Sequence, residues 1–193
     1  MQADLSRFNN SWYKPGSSKL KQTLWFVVNS LFFRNSLNPF SRLKCWLLRC
    51  FGAEVGKKVN IKPAVNIKYP WRLSIGDYSW IGENVWIDNL EDVIIGNNCC
   101  ISQGAMLLCG NHDYQKDSFD LITGKIVLED GAWVGAQTTV CPGVTIKTHA
   151  VLSVGSVATK DLESYTVYQG NPAQPVRKRT INNDTLPHHR LLQ

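Results

Sequence analysis

The chain has 193 residues, of which 44% are hydrophobic and 19% charged, and its formal net charge is +6. This length suits one domain with an appendage, and the hydrophobic content excludes a wholly disordered chain. The positive charge favours anionic partners such as phosphates, acidic glycans or a membrane surface. Nucleic acid is not an expected partner, because the sequence has no helix-turn-helix, zinc-finger or aromatic-basic ribonucleoprotein pattern.

Residues 1–54 are predicted to form an arm, 1–16, followed by two short helices over 19–33 and 39–51. Neither helical pattern has the roughly twenty apolar residues that cross a bilayer. Two interpretations of 19–51 stay open. The helices either cover the open end of the domain that follows, as terminal repeats require, or lie in the plane of a membrane surface through their basic and aromatic side chains.

From Val55 onward an aliphatic side chain recurs at every sixth position, a period that neither an α-helix nor an ordinary strand produces. A coil with three flat faces produces it when each face takes six residues and turns one side chain inward. The pattern therefore predicts a mainly β fold, a hexapeptide β-helix of about five coils over 55–161. The inward positions are Val55, Ile61, Ile67, Ile75, Ile81, Ile87, Ile95, Ile101, Leu107, Leu128, Val134, Val140, Ile146 and Leu152.

Three interruptions of this pattern locate the predicted functional face. Two steps take eight residues instead of six, and the step from Leu107 to Leu128 takes twenty-one. All three follow the third hexad of a coil, so they lie on the same corner of the solenoid. The longest is an extruded loop, 108–127, and it carries His112. Insertions in a solenoid gather on one face, which is often the functional one.

His112 is the candidate general base, since an imidazole titrates near pH 6.5 and can take a proton from a hydroxyl at neutral pH. The residues alone leave a catalytic and a non-catalytic role equally open. No second histidine lies in a neighbouring coil, so the three-histidine zinc site of γ-type carbonic anhydrases is not expected. The six cysteines show no CxxC pair, and His188 and His189 lack spaced partners. We therefore predict no metal site.

Residues 162–193 are predicted to form a C-terminal extension and a polar tail. The N-terminus shows no signal-peptide pattern, and the cysteines suit a reducing compartment. The predicted location is the cytoplasm. Attachment at the inner face of the cytoplasmic membrane corresponds to the second interpretation of residues 19–51.

Five short motifs accompany the hexads: GNHDY (110–114), EDGAWVGA (129–136), PGV (142–144), GSVATKD (155–161) and GNPA (170–173). Together with the hexads they resemble the hexapeptide acyltransferases of the maltose, galactoside and nodulation acetyltransferase group. Residues 62–89 more closely resemble the colanic-acid biosynthesis acetyltransferases. The resemblance covers about residues 20–178. It implies a homotrimer of left-handed parallel β-helices, an active site in each groove between subunits, acetyl-CoA as donor and direct transfer to a sugar hydroxyl.

The resemblance also implies a role for individual residues. His112 stands at the position of the catalytic base, and the backbone N–H of Ala136 stands where the family stabilises the oxyanion. Many relatives carry serine at this position, so a secondary contact is absent here. The residues implied to bind acetyl-CoA are Trp133, Gly135, Val154, Gly155, Thr159, Lys160 and Arg177, with Lys178 beside the last. Those implied to bind the acceptor are Asp88, Asn89 and Asn111.

Alternatives remain for several of these residues. Trp133 also suits a trimer contact, Arg177 and Lys178 a solvated tail, and Asp88 with Asn89 an ordinary turn. The main functional prediction is O-acetylation of a sugar in exopolysaccharide or related glycan assembly. A membrane-bound N-terminus would suit a lipid-linked acceptor.

Transfer to an amino sugar is the first rival function, but the separate nucleotide-binding domain usual for that activity has no counterpart in the sequence pattern. A non-catalytic scaffold is the second rival. It would not need His112, Trp133, Thr159 and Lys160 together.

Overall fold

The structure, a computed structural model, describes residues 4–182 and shows a parallel β-helix with two helices across its first coil. The helices are α1 (Lys19–Val28), which continues into a π-helical turn (Asn29–Phe33), and α2 (Ser41–Cys50), with short 3-10 turns at Leu5–Arg7 and Pro70–Arg72. The strands are β1 (Glu54–Val55), β2 (Asn60–Ile61), β3 (Asn66–Ile67), β4 (Leu73–Ile75), β5 (Trp80–Ile81), β6 (Trp86–Asp88), β7 (Val93–Ile95), β8 (Cys100–Ile101), β9 (Met106–Leu108), β10 (Gly110–His112), β11 (Leu121–Thr123), β12 (Ile126–Leu128), β13 (Trp133–Val134), β14 (Thr139–Val140), β15 (Thr145–Ile146), β16 (Val151–Leu152), β17 (Val157–Ala158), β18 (Thr166–Gly170) and β19 (Ala173–Lys178).

The strands form three parallel sheets, which the chain visits in turn. Sheet A contains β1, β4, β7, β12 and β15; sheet B contains β2, β5, β8, β13, β16 and β18; sheet C contains β3, β6, β9, β14 and β17. Each strand pairs with the strand one coil earlier and the strand one coil later. This arrangement confirms the prediction of a mainly β, hexapeptide-repeat solenoid.

The inward aliphatic side chains form one column inside each sheet. Thirteen of the fourteen predicted positions are at most 2% exposed, and Val55, at the open end, is half-buried. The column of sheet B shows the register, since each member is the direct partner of the next: Ile61, Ile81, Ile101, Val134, Leu152 and Tyr168. Because each inward residue contacts the one in the next coil, the sixfold repeat in the sequence becomes one continuous core.

The corner between sheets A and B places one residue of each coil in the left-handed conformation. This residue lies three positions after the inward aliphatic residue, and it is not always glycine. Tyr78 has a φ of 60°, His149 of 58° and Tyr165 of 52°. Residues with a side chain adopt such angles only at a cost in conformational free energy. The stacking of the coils therefore imposes this conformation.

The parallel pairing continues beyond residue 161, where the sequence pattern placed its end. Leu162 forms a parallel bridge with Ile146, and Tyr168 in β18 stacks on Leu152. The chain then reverses, and β19 returns antiparallel to β18. Sheet B consequently has six parallel strands where five coils were predicted. The predicted polar tail, with His188 and His189, lies largely outside the described residues.

Helices α1 and α2 cover the open end of the first coil, as the first of the two interpretations predicts. The indole N–H of Trp25 donates to the backbone carbonyl of Ile67 at 2.8 Å. The ammonium of Lys44 donates to the backbone carbonyl of Lys62 at 2.8 Å. The helices thereby pair backbone groups of the solenoid edge that would otherwise lack partners. Lys44 is completely buried, and desolvation lowers its pKa. No helix in residues 4–182 has the length and apolar composition needed to cross a membrane.

Candidate active site

The extruded loop is an ordered β-hairpin at the corner between sheets C and A. Strands β10 and β11 pair antiparallel, with His112 opposite Leu121. The base is closed by a hydrogen bond from the N–H of Gly124 to the carbonyl of Cys109 at 2.9 Å. The two eight-residue steps turn the same corner in the coils before it, as the spacing predicted. The hairpin therefore holds His112 outside the solenoid at a defined position.

Phe119, on the returning side of the hairpin, orients the His112 ring. Nδ1 of His112 lies 2.9 Å from the carbonyl oxygen of Phe119, and the two rings stack at 4.5 Å with an interplanar angle of 8°. A carbonyl oxygen only accepts hydrogen bonds, so this partner assigns the proton to Nδ1. Nε2 of the neutral ring then keeps its lone pair, which is the state that a general base requires. Sequence reasoning did not identify Phe119.

His112 faces a cavity of about 670 Å³, a volume within the usual range for a small-molecule site. One wall is the hairpin, with Asn111 and Leu121. A second wall comes from the two preceding coils at the same corner. The N-terminal arm forms the third. The residues from the coils and the arm are Lys68, Tyr69, Asp88, Leu90, Phe8, Asn10, Tyr13 and Pro15.

The arm contributes to this cavity because it is attached at both ends. Near the tip of the hairpin, the N–H of Asp4 donates to the carbonyl of Asp117 at 2.9 Å, and Arg7 forms an ion pair with the Asp117 carboxylate. Farther along, the Tyr13 hydroxyl donates to the carbonyl of Leu90 at 2.8 Å, and burial raises the pKa of that phenol. Sequence reasoning missed this contribution. Its one available signal was the aromatic residues within a polar segment.

Asp88 and Asn89, predicted together as acceptor-binding residues, have different environments. Asp88 lines the cavity and forms an ion pair with Lys68 at 2.9 Å. Asn89 is completely buried; its side chain accepts a hydrogen bond from the N–H of Tyr69 at 2.9 Å and donates to the carbonyl of Arg72 at 3.2 Å. The structure therefore contradicts an acceptor contact by Asn89, which instead holds the corner of the preceding coil.

Asn111 retains an exposed position beside the catalytic candidate. Its side-chain oxygen accepts a hydrogen bond from the backbone N–H of His112 at 2.8 Å, and the residue lines the same cavity. It therefore fits both an acceptor contact and a local role in the hairpin.

A second cavity, of about 680 Å³, lies over sheet B and contains five of the residues predicted at the donor and oxyanion positions: Trp133, Gly135, Ala136, Val154 and Arg177. Trp133 is exposed along this surface, and its indole N–H donates to the hydroxyl of Ser102 at 3.0 Å. Lys178 and Arg179 make the cavity cationic. It has the apolar and positive lining expected for a phosphate-bearing ligand with an organic arm.

The backbone of the turn at Ala136 leaves one N–H group free. Gly135 donates to Leu152 at 2.8 Å and Gln137 to Gln103 at 3.0 Å, whereas the N–H of Ala136 has no hydrogen-bond partner within residues 4–182. A side chain at Gly135 would place its Cβ 2.6 Å from the Leu152 carbonyl oxygen, so glycine is needed there for coil stacking. The free N–H of Ala136 is available to an oxyanion.

The chain is 38% identical to the protein WcaF of Escherichia coli strain K12 over 176 residues, which cover 91% of this chain and 97% of that protein. The name of WcaF assigns it to colanic acid biosynthesis as an acetyltransferase. The chain belongs to the hexapeptide-repeat acetyltransferases. The family predicted from the motifs is thus confirmed, although no model of a known protein family matches the chain.

Solved structures share the fold of this acetyltransferase. A hexapeptide-repeat acetyltransferase of Vibrio cholerae O1 biovar eltor, in complex with acetyl-CoA, superimposes with a TM-score of 0.77 at 24% identity, over 87% of this chain and 93% of that one. A maltose O-acetyltransferase of Clostridium difficile 630 gives a TM-score of 0.75 at 23% identity, over 85% and 90%. At these identities the likeness shows the architecture.

The remaining donor-site candidates of the acetyltransferase, Gly155, Thr159 and Lys160, lie outside the sheet B cavity. Gly155 follows Val154 of that cavity in the turn after β16, and it has a φ of 69° with open space around it. Thr159 and Lys160 are exposed and directly follow β17 in sheet C. One chain therefore does not place Thr159 and Lys160 beside Trp133 in a single pocket.

The two halves of the predicted site are also separate within one chain. The His112 cavity and the sheet B cavity share no lining residue. In a three-sided solenoid the corner between sheets C and A is opposite sheet B. Ala136 lies at a different corner from His112, in the turn between β13 of sheet B and β14 of sheet C.

The buried thiols are not nucleophiles, and the described part of the chain presents no metal-binding group. Burial raises the pKa of Cys99 to about 11 and that of Cys109 to about 12, so both thiols are protonated at neutral pH and are poor nucleophiles. Among residues 4–182, no group of three or more histidine, cysteine, aspartate or glutamate side chains is placed to hold a metal ion.

Proposed function

We propose that this acetyltransferase moves the acetyl group of acetyl-CoA to a sugar hydroxyl in the assembly of an exopolysaccharide or related glycan, with His112 as general base. The observation that carries the proposal is the contact of His112 Nδ1 with the Phe119 carbonyl, which leaves Nε2 free to accept a proton at the edge of a cavity. The name of WcaF, the acetyl-CoA bound to the Vibrio protein and the maltose acceptor of the Clostridium enzyme support the substrate classes.

The acceptor sugar binds in the His112 cavity. Asp88 and Asn111 are polar groups on its surface, and Phe8 and Tyr69 supply aromatic faces. His112 Nε2 takes the proton of the sugar hydroxyl while that oxygen attacks the thioester carbonyl carbon. The C–S bond then breaks, and the thiolate of CoA receives a proton.

Acetyl-CoA binds in the sheet B cavity of a neighbouring subunit. Trp133 lies along the pantetheine arm, Arg177 and Lys178 face its negative phosphates, and Gly155 adjoins the cavity at the turn after β16. Thr159 and Lys160, which one chain does not place beside Trp133, contact acetyl-CoA from the other subunit of the groove. The free N–H of Ala136 donates to the oxygen that becomes negative in the transition state. This division of the site requires an oligomer, and a homotrimer supplies three equivalent grooves. Because acetyl-CoA is an intracellular metabolite, we place the enzyme in the cytoplasm.

The test compares His112→Ala with His149→Asn, a matched control at the other histidine that the structure describes. CoA release is measured with a panel of sugars, and the product is treated with mild alkali, which removes an O-acetyl ester and leaves an N-acetyl amide intact. We expect His112→Ala to lower kcat/KM by about 10²–10⁴-fold and His149→Asn to leave it unchanged. A loss of only a few-fold in His112→Ala contradicts the base assignment, and an alkali-stable product contradicts O-acetylation.

A further inference from the structure

The helical cap has an apolar outer face that is largely exposed in the described chain. One side of α1 packs on the solenoid through Trp25. On the other side of α1 and of the π-helical turn that continues it, every third or fourth residue is aliphatic, and these four side chains are 48–70% exposed. A surface helix normally turns polar residues outward. We call these residues the outer stripe: Leu20, Leu24, Val27 and Leu31.

The same apolar surface continues beyond α1. Leu37 in the connection to α2 is 87% exposed, and Phe40 and Trp46 are exposed at and within α2. We call these three residues and the outer stripe together the cap surface. Single exposed apolar residues are ordinary, but a concentration of this kind within 27 residues marks an interaction site.

The charge of the chain is concentrated around the cap surface. Residues 1–53 contain eight lysine and arginine residues and one acidic residue. Residues 54–193 contain thirteen lysine and arginine residues and fourteen acidic residues. No acidic residue occurs between Leu5 and Ala53. Lys19, Arg34 and Arg42 are exposed beside the apolar side chains. Residues 1–53, which contain the cap, therefore carry the whole net positive charge of the protein.

We propose that the cap surface docks on an anionic phospholipid bilayer, with α1 and α2 lying in the plane of the interface. Leucine and aromatic side chains on one face, flanked by lysine and arginine, are the composition that binds such an interface, and each cation near an anionic leaflet adds about 1 kcal/mol. A second copy of the chain is a poorer occupant, because two caps face to face would oppose their positive charges without acidic partners.

Docking on a membrane also indicates the source of the acceptor, and that step rests on the proposed function. If three chains surround an axis parallel to the solenoids, all three caps lie at the same end of the trimer. Three weak contacts then act together on one surface. An enzyme held there would take its sugar acceptor from a lipid-linked glycan.

The experiment measures sedimentation of the full-length protein with phosphatidylcholine vesicles and with vesicles that also contain phosphatidylglycerol. Leu24→Gln/Leu31→Gln removes two members of the outer stripe, and Arg34→Gln/Arg42→Gln removes two cations. Thr23→Gln is the matched control, since Thr23 is exposed on the same helix. All altered side chains are exposed, and thermal unfolding by circular dichroism checks that each variant is folded.

We expect the wild-type protein and Thr23→Gln to bind the anionic vesicles, with weaker binding at high salt. The arginine variant should bind these vesicles roughly thirtyfold more weakly, and the leucine variant at least about tenfold more weakly. CoA release with a soluble sugar, measured without vesicles, should remain unchanged, which separates this proposal from the proposed function. Absence of wild-type binding overturns the docking. So does a fall in particle mass in the leucine variant, which would show that a second copy covers the cap surface.

Discussion

The proposed division of the site between two chains predicts the result of a subunit-mixing experiment. One variant, His112→Ala, lacks the general base. The other, Ala136→Pro, lacks the N–H that we propose as donor to the oxyanion, because proline carries no such group. We expect the first to lose about 10²–10⁴-fold in kcat and the second about 10²–10³-fold. Each variant alone should therefore be nearly inactive.

Proline is expected to fit at position 136 without unfolding the coil. The N–H of Ala136 has no partner in the described chain, so no hydrogen bond is lost. Gln137, the next residue, has a φ of 56°, and a turn with a positive φ at its third residue favours proline at the second. The chain already carries Pro63 and Pro142 at the same place, two residues after an inward aliphatic side chain.

The magnitude follows from the symmetry. When equal amounts of the two variants are unfolded together and refolded, about three quarters of the trimers contain both. In every mixed trimer, one of the three grooves pairs an intact His112 with an intact Ala136. The mixture should therefore recover roughly a quarter of the wild-type activity.

The assay is CoA release by the refolded mixture, compared with each variant refolded alone and with wild type refolded in the same way. The molecular mass of the refolded material must correspond to three chains. If the mixture is no more active than its parents while the mass is correct, the two groups do not meet across an interface, and the proposed groove is wrong.

Two further predictions concern the effect of Phe119 on catalysis and the effect of two buried thiols on stability. Phe119→Ala should lower kcat by about two- to tenfold without changing KM for acetyl-CoA, because a stacked aromatic pair contributes about 0.5–1.5 kcal/mol; a change in KM alone would show that Phe119 does not position the base. The buried thiols of Cys99 and Cys109 have native pKa values of about 11 and about 12 against 9.0 for the ordinary thiol, so the unfolded chain releases these protons first and stability falls as the pH rises above about 9. Between pH 8 and pH 10 the free energy of unfolding should drop by roughly 3 kcal/mol from the two thiols, and urea titration should show a smaller drop in Cys99→Ala/Cys109→Ala but not in Cys50→Ala.

The solenoid and the place of the insertion were predictable because both depend on a repeating pattern. Each inward residue from Ile61 to Leu152 packs against the inward residue at the equivalent position of an adjacent coil. A periodic sequence is therefore sufficient to define the core. The corner of the insertion followed from counting the interrupted steps. His112 was predictable as a candidate because it is the histidine of that insertion.

The N-terminal arm could not be placed in this way, because it has no period and is held by single long-range contacts. The bond from Asp4 to Asp117 joins residues more than one hundred positions apart. The distinction between Asp88 and Asn89 was equally inaccessible. These residues are adjacent in one turn, and only the position of Tyr69 and Arg72 in the preceding coil decides which side chain is buried.

The architecture explains why an insertion carries the candidate chemistry. After the hairpin, β12 returns to β7 in the same register as every other coil, with Leu128 opposite Ile95. Closing a step of twenty-one residues instead of six costs only about 1 kcal/mol in chain entropy. Burying one leucine side chain contributes about 1.5–3 kcal/mol, so continuation of the column at Leu128 alone offsets that cost. A solenoid can therefore add a hairpin at a corner without weakening its core, and the side chains of that hairpin are free to meet the requirements of the acceptor.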